Sequence, residues 1–341
     1  MKKHNIDFPL VSICIPAYNA ERFIQDTLES ALAQDYPNLE IIVSDDCSSD
    51  QTREVVKEYR HRGVDLYCQE KNLGMHANWN AVIRASHGKY AVKLDADDLL
   101  EPEYVSSMVA VMENHSKITF AHCACRLIDV NGNFLGYERS IHGSFIRNGL
   151  HEWPRYVFGP RAVNIVMIRR SAYDAVGGYD EKFKYSGDWK MHRDLLKIGD
   201  VFYNDKVLAS YRVHALGKRG IRLLQAKEHL MHLEDMAHHW PPEVPGKNCL
   251  LAKTRRQQAM GVARALVCAE PDEIQEISRY LPLYGNYWGP RLLAWLGRNG
   301  WSDLLRSYWH LKGRLRQAVK QLLYKPADSP INVPTSFIEN P

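Results

Sequence analysis

The first hundred residues alternate short apolar runs with helical patterns, and this alternation most constrains the fold. The runs at residues 10–15, 39–43, 64–68 and 90–94 have the length and β-branched content of buried strands. Apolar residues recur at helical spacing between them. Strands that alternate with helices form right-handed βαβ units around a parallel sheet. We therefore predict an α/β fold with a mixed, mostly parallel central sheet.

The second half of the chain predicts a change of architecture. Further strands are expected at 120–128 and 163–168, and a strand pair at 201–213. Helices are expected at 171–176 and 189–198, and the chain is helical from about residue 221, with a break at 240–246. We divide the chain into an α/β domain over 1–215, a helical region over 216–325 and a proline-rich, disordered tail over 326–341.

Composition excludes several classes of protein. The chain is 45% apolar and 25% charged, which is typical of a globular protein. A net charge of only +4 gives no support for a nucleic-acid partner. The seven cysteines form no CxxC pair, which indicates a reducing compartment. With no leader-like N-terminus and no apolar run long enough to span a bilayer, we expect a cytoplasmic protein.

Polar residues follow each of the first four predicted strands. They are Pro16-Ala17-Tyr18-Asn19, Asp45-Asp46, Lys71-Asn72-Leu73-Gly74 and Asp95-Ala96-Asp97-Asp98. Ligands of such sheets bind beyond the carboxyl ends of the strands, so these segments predict one site. The three carboxylates of the last segment repel one another, and a divalent cation would neutralise them. Mn²⁺ or Mg²⁺ together with a diphosphate suits such oxygen ligands. Alternatively, Asp98 caps the helix expected near 103–112.

These motifs, in this order, resemble those of family 2 glycosyltransferases. The resemblance runs over about residues 10–215 and continues through Gly177-Gly178-Tyr179-Asp180-Glu181, Ser186-Gly187-Asp188-Trp189 and Tyr211-Arg212-Val213-His214. It implies the GT-A fold and a metal-dependent transfer that inverts the anomeric carbon of a nucleotide sugar. The resemblance implies a nucleotide-sugar site at Pro16, Tyr18, Asn19, Asp45, Asp46, Asn72, Gly74 and Asp95, metal ligands at Asp97, Asp98 and His214, and a catalytic base at Asp188.

Simpler roles stay open for several of these residues. Asp188 precedes a predicted helix and could be its N-cap, and His214 could be a surface or packing residue. Arg212 could contact the diphosphate, but ordinary solvated charge is its simplest interpretation. The chain also departs from the family pattern at two positions. Cys47 replaces a glycine in a loop that favours positive φ, and Gly187 replaces the acid that often precedes the base.

Residues 301–325 form a cationic amphipathic pattern with Trp301 and Trp309. Such a helix could lie on an anionic membrane surface, at the inner face of the cell membrane, or dock on protein. The function expected is transfer from a UDP-, dTDP- or GDP-linked sugar to a hydroxyl acceptor, such as a lipid-linked glycan, in surface polysaccharide or glycolipid assembly. The alternative is an inactive nucleotide-sugar-binding assembly module. A dehydrogenase is excluded because no GxGxxG follows the first strand.

Overall fold

The structure is a computed structural model that covers most of the chain. It describes residues 8–139, 143–159, 165–214, 221–268 and 271–285, with Leu292 and Trp295. The amphipathic pattern at 301–325 and the tail at 326–341 lie outside the described residues. Within the described helices, none combines the length and apolar character needed to cross a membrane.

Helices and strands alternate through the first hundred residues, as predicted. The strands are β1 (Val11–Ala17), β2 (Leu39–Asp45), β3 (Val64–Cys68), β4 (Tyr90–Lys93), β5 (Leu99–Leu100), β6 (Ile118–Ile128), β7 (Phe134–Glu138), β8 (Phe145–Arg147), β9 (Val166–Arg169) and β10 (Asp200–Arg212). The α-helices are α1 (Ile24–Leu32), α2 (Thr52–Glu58), α3 (Met75–Ala85), α4 (Tyr104–Asn114), α5 (Gly149–Tyr156), α6 (Arg170–Val176), α7 (Gly187–Ile198), α8 (Ile221–His238), α9 (Lys247–Cys268) and α10 (Pro271–Ser278).

The strands form one mixed sheet in the order β3-β2-β1-β4-β9-β6-β10-β5, with β7 beside β6 and β8 beside β10. The first four strands in this order are all parallel. Strand β9 is antiparallel to both β4 and β6, and β6 is parallel to β10. Strands β1, β2, β4, β6 and β10 therefore all end at the same edge, where the predicted site lies.

Each face of the sheet has its own apolar core. Ile13 and Ile15 of β1 point to the core that α1, α2 and α4 cover, whereas Cys14 between them points to the other core. That second core contains residues of α3, α5 and α7. It also contains Leu233 of α8 and Val262 of α9, so the helical C-terminal region shares a core with the sheet.

The strand pair predicted at 201–213 is wrong, because this segment is the single strand β10. The polar residues Asn204, Asp205 and Lys206 lie within this strand and do not end it. The strand takes them up as an irregularity, with its register on β6 shifting between Asn204 and Val207. The side chain of Asn204 accepts a hydrogen bond from the Lys206 amide at 3.1 Å, which satisfies the backbone there. The short strands β5 and β8 pair with the other edge of β10.

Candidate active site at the carboxyl edge of the sheet

Strands β1 and β2 bring Tyr18 and Asp45 to the same edge, since Ala17 pairs in register with Asp45. Tyr18 is 53% exposed, and Asp45 is completely buried. One carboxylate oxygen of Asp45 accepts hydrogen bonds from Arg53 Nε at 2.5 Å and from the Ser48 amide at 3.1 Å. The other oxygen, Oδ1, has no partner among the described residues. Since an unpaired buried oxygen is costly, a donor group on a ligand would stabilise it.

Both carboxylate oxygens of Asp46 already accept hydrogen bonds from the loop that precedes α3. Its carboxylate accepts from the amides of Leu73 at 2.6 Å and Gly74 at 3.0 Å. The Asn72 side chain donates to the Asp46 carbonyl at 3.2 Å. Gly74 has φ of 89° at the N-cap of α3, a conformation that glycine adopts without strain. Of the two neighbouring acids, Asp45 is therefore the one with an oxygen that has no partner among the described residues, and a ligand contact of Asp45, Asp46, Asn72 or Gly74 stays a prediction.

The positive φ expected at Cys47 is confirmed. Cys47 has φ of 62°, and Asn19, in the facing loop, has φ of 49°. Left-handed backbone is tolerated by asparagine but strained for cysteine. The Asn19 side chain accepts a hydrogen bond from the Ser49 amide at 2.9 Å, and this contact joins the loops after β1 and β2. Pro16 is buried within β1 beside Ser44, and its predicted ligand contact stays untested.

Asp95 pairs with a buried cation that the sequence analysis missed. Lys93 Nζ donates to Asp95 Oδ2 at 2.6 Å, and the Lys93 side chain is completely buried. Its ammonium lies 4.1 Å from the centroid of the Trp79 ring, a cation–π arrangement. A lysine inside an apolar strand directly before acidic residues was the available signal, because buried charges in proteins are paired.

Asp97 and His214 meet at the ends of β4 and β10. His214 Nε2 lies 2.5 Å from Asp97 Oδ2, and the side chains are 50% and 26% exposed. The described residues contain no group of three or more histidine, cysteine or acidic side chains placed to hold a metal. Mg²⁺ and Mn²⁺ commonly use one or two protein ligands together with phosphate oxygens and water. This exposed pair of an imidazole and a carboxylate fits that mode.

Asp98 anchors β10 and does not cap a helix. Its buried Oδ1 accepts from the Arg212 amide at 2.8 Å, while Arg212 Nε donates to the Asp97 carbonyl at 2.8 Å. The N-cap of α4 is Glu103, so the alternative role predicted for Asp98 is wrong. Arg212 is 5% exposed, so the interpretation as solvated charge is also wrong. Burial, with Asp97 and Asp95 nearby, raises the pKa of Asp98 well above its usual range. Metal binding by Asp98 stays a prediction.

The acidic segment is therefore less crowded with uncompensated charge than the sequence suggests. Asp95 has the Lys93 ammonium, Asp97 has the His214 imidazole, and Asp98 has the Arg212 amide. The described residues supply a partner to each carboxyl group, but Asp98 keeps one buried oxygen, Oδ2, without a partner among them and is affected by the charges of Asp97 and Asp95. Neutralisation of this repulsion by a divalent cation stays a prediction.

Asp188 lies in the first turn of α7, and Ser186 is the N-cap, so the N-cap alternative for Asp188 is wrong. Burial raises the pKa of Asp188 to about 6; the charge of Asp95 also raises it, whereas the Trp189 amide and the Lys93 ammonium oppose the shift. Asp188 is therefore influenced by the charges of Asp95 and Lys93. A carboxylate with this pKa can take up a proton near neutral pH.

The absence of a side chain at Gly187 has a steric reason. A Cβ atom there would lie 2.7–2.9 Å from three atoms of the His76 ring. His76 is buried, its Nδ1 lies 2.6 Å from the Phe183 carbonyl, and its Nε2 has no partner among the described residues. Burial lowers the pKa of His76 to about 4, so the ring is neutral. The His76 ring of α3 thus occupies the space that a side chain at position 187 would need.

Comparison with known proteins identifies the family and the fold. Residues 12–196 match the model of glycosyl transferase family 2. Chondroitin synthase of Escherichia coli is 29% identical over 60% of this chain, although the match spans only 29% of that protein.

Two solved structures share the fold. TarS (residues 1–349) of S. aureus in complex with UDP superposes with a TM-score of 0.60 and 18% identity, over 87% of this chain and 91% of that one. A mannosyltransferase from Pyrobaculum calidifontis, in complex with GDP-Man and Mn²⁺, gives a TM-score of 0.54 and 17% identity over 89% and 88% of the two chains. The GT-A fold predicted from the sequence is confirmed. Because the family model covers more than half of the chain, this protein belongs to glycosyl transferase family 2.

Proposed function

We propose that this family 2 protein transfers a sugar, with inversion, from a nucleoside diphosphate sugar to a hydroxyl acceptor during assembly of a polysaccharide or glycolipid. The observation that carries the proposal is the carboxyl group of Asp188, whose pKa is raised to about 6 and which senses the charges of Asp95 and Lys93. A proton acceptor thus lies beside the acidic segment that faces the donor. Similarity to a chondroitin synthase supports polysaccharide assembly.

The nucleotide base would bind between Tyr18 and Asp45. The exposed ring of Tyr18 offers a stacking surface, and Asp45 Oδ1 is an acceptor without a partner among the described residues. Uracil, thymine and guanine each present a ring N–H that can donate to a carboxylate, which favours UDP-, dTDP- or GDP-linked donors. The UDP and GDP-Man complexes of the structural neighbours support this choice.

Asp97 and His214 would hold the metal ion, Mn²⁺ or Mg²⁺. Their side chains meet at the exposed edge, and the Mn²⁺ complex of the neighbouring mannosyltransferase supports the assignment. The ion supplies Lewis-acid stabilisation of the negative charge that develops on the leaving diphosphate. Asp95, held by Lys93, would accept hydrogen bonds from the ribose or face the diphosphate.

Asp188 would act as the general base for the acceptor. The attacking hydroxyl gives its proton to the Asp188 carboxylate as the new bond forms at the anomeric carbon and the bond to the diphosphate breaks. Attack opposite the leaving group inverts that carbon. The raised pKa of Asp188 matches this task, because a base is most effective when its pKa lies near the operating pH.

The test is a screen of UDP-, dTDP- and GDP-sugars against a panel of sugar glycosides as acceptors, with Mn²⁺ or EDTA. We expect Mn²⁺-dependent release of nucleoside diphosphate that Asp97→Ala and Asp188→Ala each lower by about 10²–10⁴-fold. Asp65→Asn, on the exposed side of β3, is the control and should match the wild type. Activity of Asp188→Asn equal to the wild type would reject Asp188 as the base, and binding of a nucleotide sugar by the wild type without any turnover would instead favour the nucleotide-sugar-binding module.

A further inference from the structure

Helix α8, which lies outside the family-matched segment, binds the backbone segment that precedes the proposed general base, Asp188. Glu228 of α8 is 1% exposed. Its carboxylate accepts hydrogen bonds from three consecutive amides, those of Lys184, Tyr185 (3.0 Å) and Ser186 (2.8 Å). It also accepts from the Ser186 hydroxyl at 2.7 Å. Consecutive backbone N–H groups that point to one anion form a concave anion site, and here the protein fills that site itself.

His232, one helical turn after Glu228, packs against the same segment. Its ring lies 4.4 Å from the ring of Phe183 and 4.0 Å from that of Trp189, measured between centroids. Arg193 donates to His232 Nδ1 at 3.1 Å, so the ring proton is on Nε2, which donates to the Ser186 hydroxyl at 2.8 Å. Burial lowers the pKa of His232 well below its usual value, which keeps this ring neutral.

Positions 228 and 232 face the same direction because residues four apart share one face of a helix. From the other side, His76 of α3 contacts the Phe183 carbonyl and fills the space beside Gly187. The segment from Phe183 to Gly187 is thus held between α8 and α3. Asp188 follows directly, so its position depends on where this segment is fixed.

We propose that Glu228 is a positioning residue for the transfer reaction: by binding the amides of 184–186, it fixes the start of α7 so that Asp188 faces the donor. This inference rests on the proposed role of Asp188 as the base. It assigns a share of catalysis to the helical C-terminal region. A buried carboxylate bound by three amides and a hydroxyl is a strong anchor, because hydrogen bonds to a charged group are worth more than neutral ones.

Hydrogen–deuterium exchange of the full-length protein tests the anchor without a substrate. In Glu228→Gln, which keeps the shape of the side chain but removes its charge, we expect amides 184–186 to exchange at least about 10-fold faster than in the wild type. Tyr284→Phe is the matched control, because the Tyr284 hydroxyl donates to the Ala226 carbonyl of the same helix and does not touch 184–186. In that control these amides should keep the wild-type rate.

Kinetics with the nucleotide sugar found in the screen test the consequence. We expect kcat of Glu228→Gln to fall about 10- to 100-fold, since a displacement of about 1 Å can cost this much, while KM for the nucleotide sugar stays near the wild type. The acidic limb of kcat/KM should also move to lower pH, because a loosened Asp188 gains solvent. The titratable groups that influence Asp188 are Lys93 at the end of β4, Asp95 two residues after it, and the Tyr179 hydroxyl before α7. Tyr284→Phe should keep the wild-type kcat and pH profile.

Unchanged exchange of amides 184–186 in Glu228→Gln would overturn the inference. Faster exchange with wild-type kcat and pH profile would overturn it as well, since Asp188 would then not depend on the anchor. Failure of the proposed function has a different signature: full activity of Asp188→Asn would reject the base, whatever the exchange data show for Glu228.

Discussion

At the scale of single residues, burial rather than ion pairing tunes the proposed base. Asp188 lies in the first turn of α7, where the helix dipole favours its ionised form, yet desolvation outweighs that effect and raises its pKa to about 6. A surface aspartate would be ionised already near pH 4. The residue therefore changes protonation in a range where enzymes commonly work.

Asp188 predicts opposite effects of pH on activity and on stability. Activity needs the carboxylate, so kcat/KM should fall as the pH drops through about 6. Because folding raises this pKa, ionised Asp188 destabilises the fold above about pH 6, and the cost fades as the pH falls below about 4, where the unfolded state also begins to bind the proton. Asp188→Asn should therefore have the higher Tm at pH 8, and its difference from the wild type should be much smaller at pH 4. Equal Tm values at both pH values would contradict the burial of this group.

A side chain at position 187 is predicted to clash with the His76 ring and to destabilise the fold. Gly187→Ala should lower the free energy of unfolding by about 1–3 kcal/mol and reduce activity, because the new methyl group meets the His76 ring. The matched control is Gly261→Ala in α9, where nothing lies within 4 Å of the added atom. That change should be neutral or stabilise the fold by up to about 1 kcal/mol. Urea unfolding of both variants provides the comparison, and equal behaviour would contradict the contact with His76.

At the scale of elements, the candidate site consists of charged side chains at the ends of strands, and these side chains contact one another. Strand β4 ends with the buried ammonium of Lys93, just before the acidic segment. Strand β10 ends with Arg212, which contacts Asp97 and Asp98, and His214 two residues later contacts Asp97. The parallel strands of the sheet bring these groups to one edge. The long strand β10 thus completes a site that β1, β2 and β4 begin.

The ammonium group of Lys93, at the end of β4, is predicted to affect the pH profile of kcat/KM. Lys93→Met removes a cation that lowers the pKa of Asp188 and holds Asp95, so the acidic limb of kcat/KM should move to higher pH and KM for the nucleotide sugar should rise. Lys89→Met, just before the same strand, removes a surface lysine that pairs with Glu113. An exposed pair contributes only about 0–1 kcal/mol, so this control should keep the wild-type profile. Identical profiles for both variants would remove Lys93 from the site.

At the scale of the whole molecule, helices α8 and α9 share an apolar core with the sheet. Residues of α8 and α9 lie in the same apolar core as β1, β6 and α7. Trp153 of α5 and Trp240, which follows α8, pack edge to face with centroids 4.6 Å apart. The division predicted near residue 215 therefore follows the limit of the family resemblance, and the apolar core continues across it.

This shared core predicts cooperative unfolding. Trp240→Ala should lower the free energy of unfolding by about 3–5 kcal/mol, because it leaves a cavity against Trp153. The sheet and the C-terminal helices should still unfold in one transition. Leu283→Ala, at a position 63% exposed in the same region, should change stability by less than about 0.5 kcal/mol. Two separate transitions in calorimetry would show that the helices form an independent domain.

The sequence by itself determined the parallel half of the sheet and which polar segments lie at its carboxyl edge. Apolar runs of strand length reveal β1, β2, β3 and β4, because local periodicity records which face is buried. The polar residues after these strands meet at one edge, since the parallel topology places the strand ends together. The glycine requirement at position 47 was also visible, and Cys47 meets it with positive φ.

Only the tertiary structure decided which partner each charged group has. Lys93 with Asp95, Asp98 with Arg212, and Glu228 with the amides before Asp188 join residues that no local pattern connects. The single strand β10 also escaped prediction, because its polar interruption is stabilised by pairing with β6 and not by its own sequence. Burial and pairing are properties of the packed molecule, and they set the pKa of Asp188 on which the proposed chemistry depends.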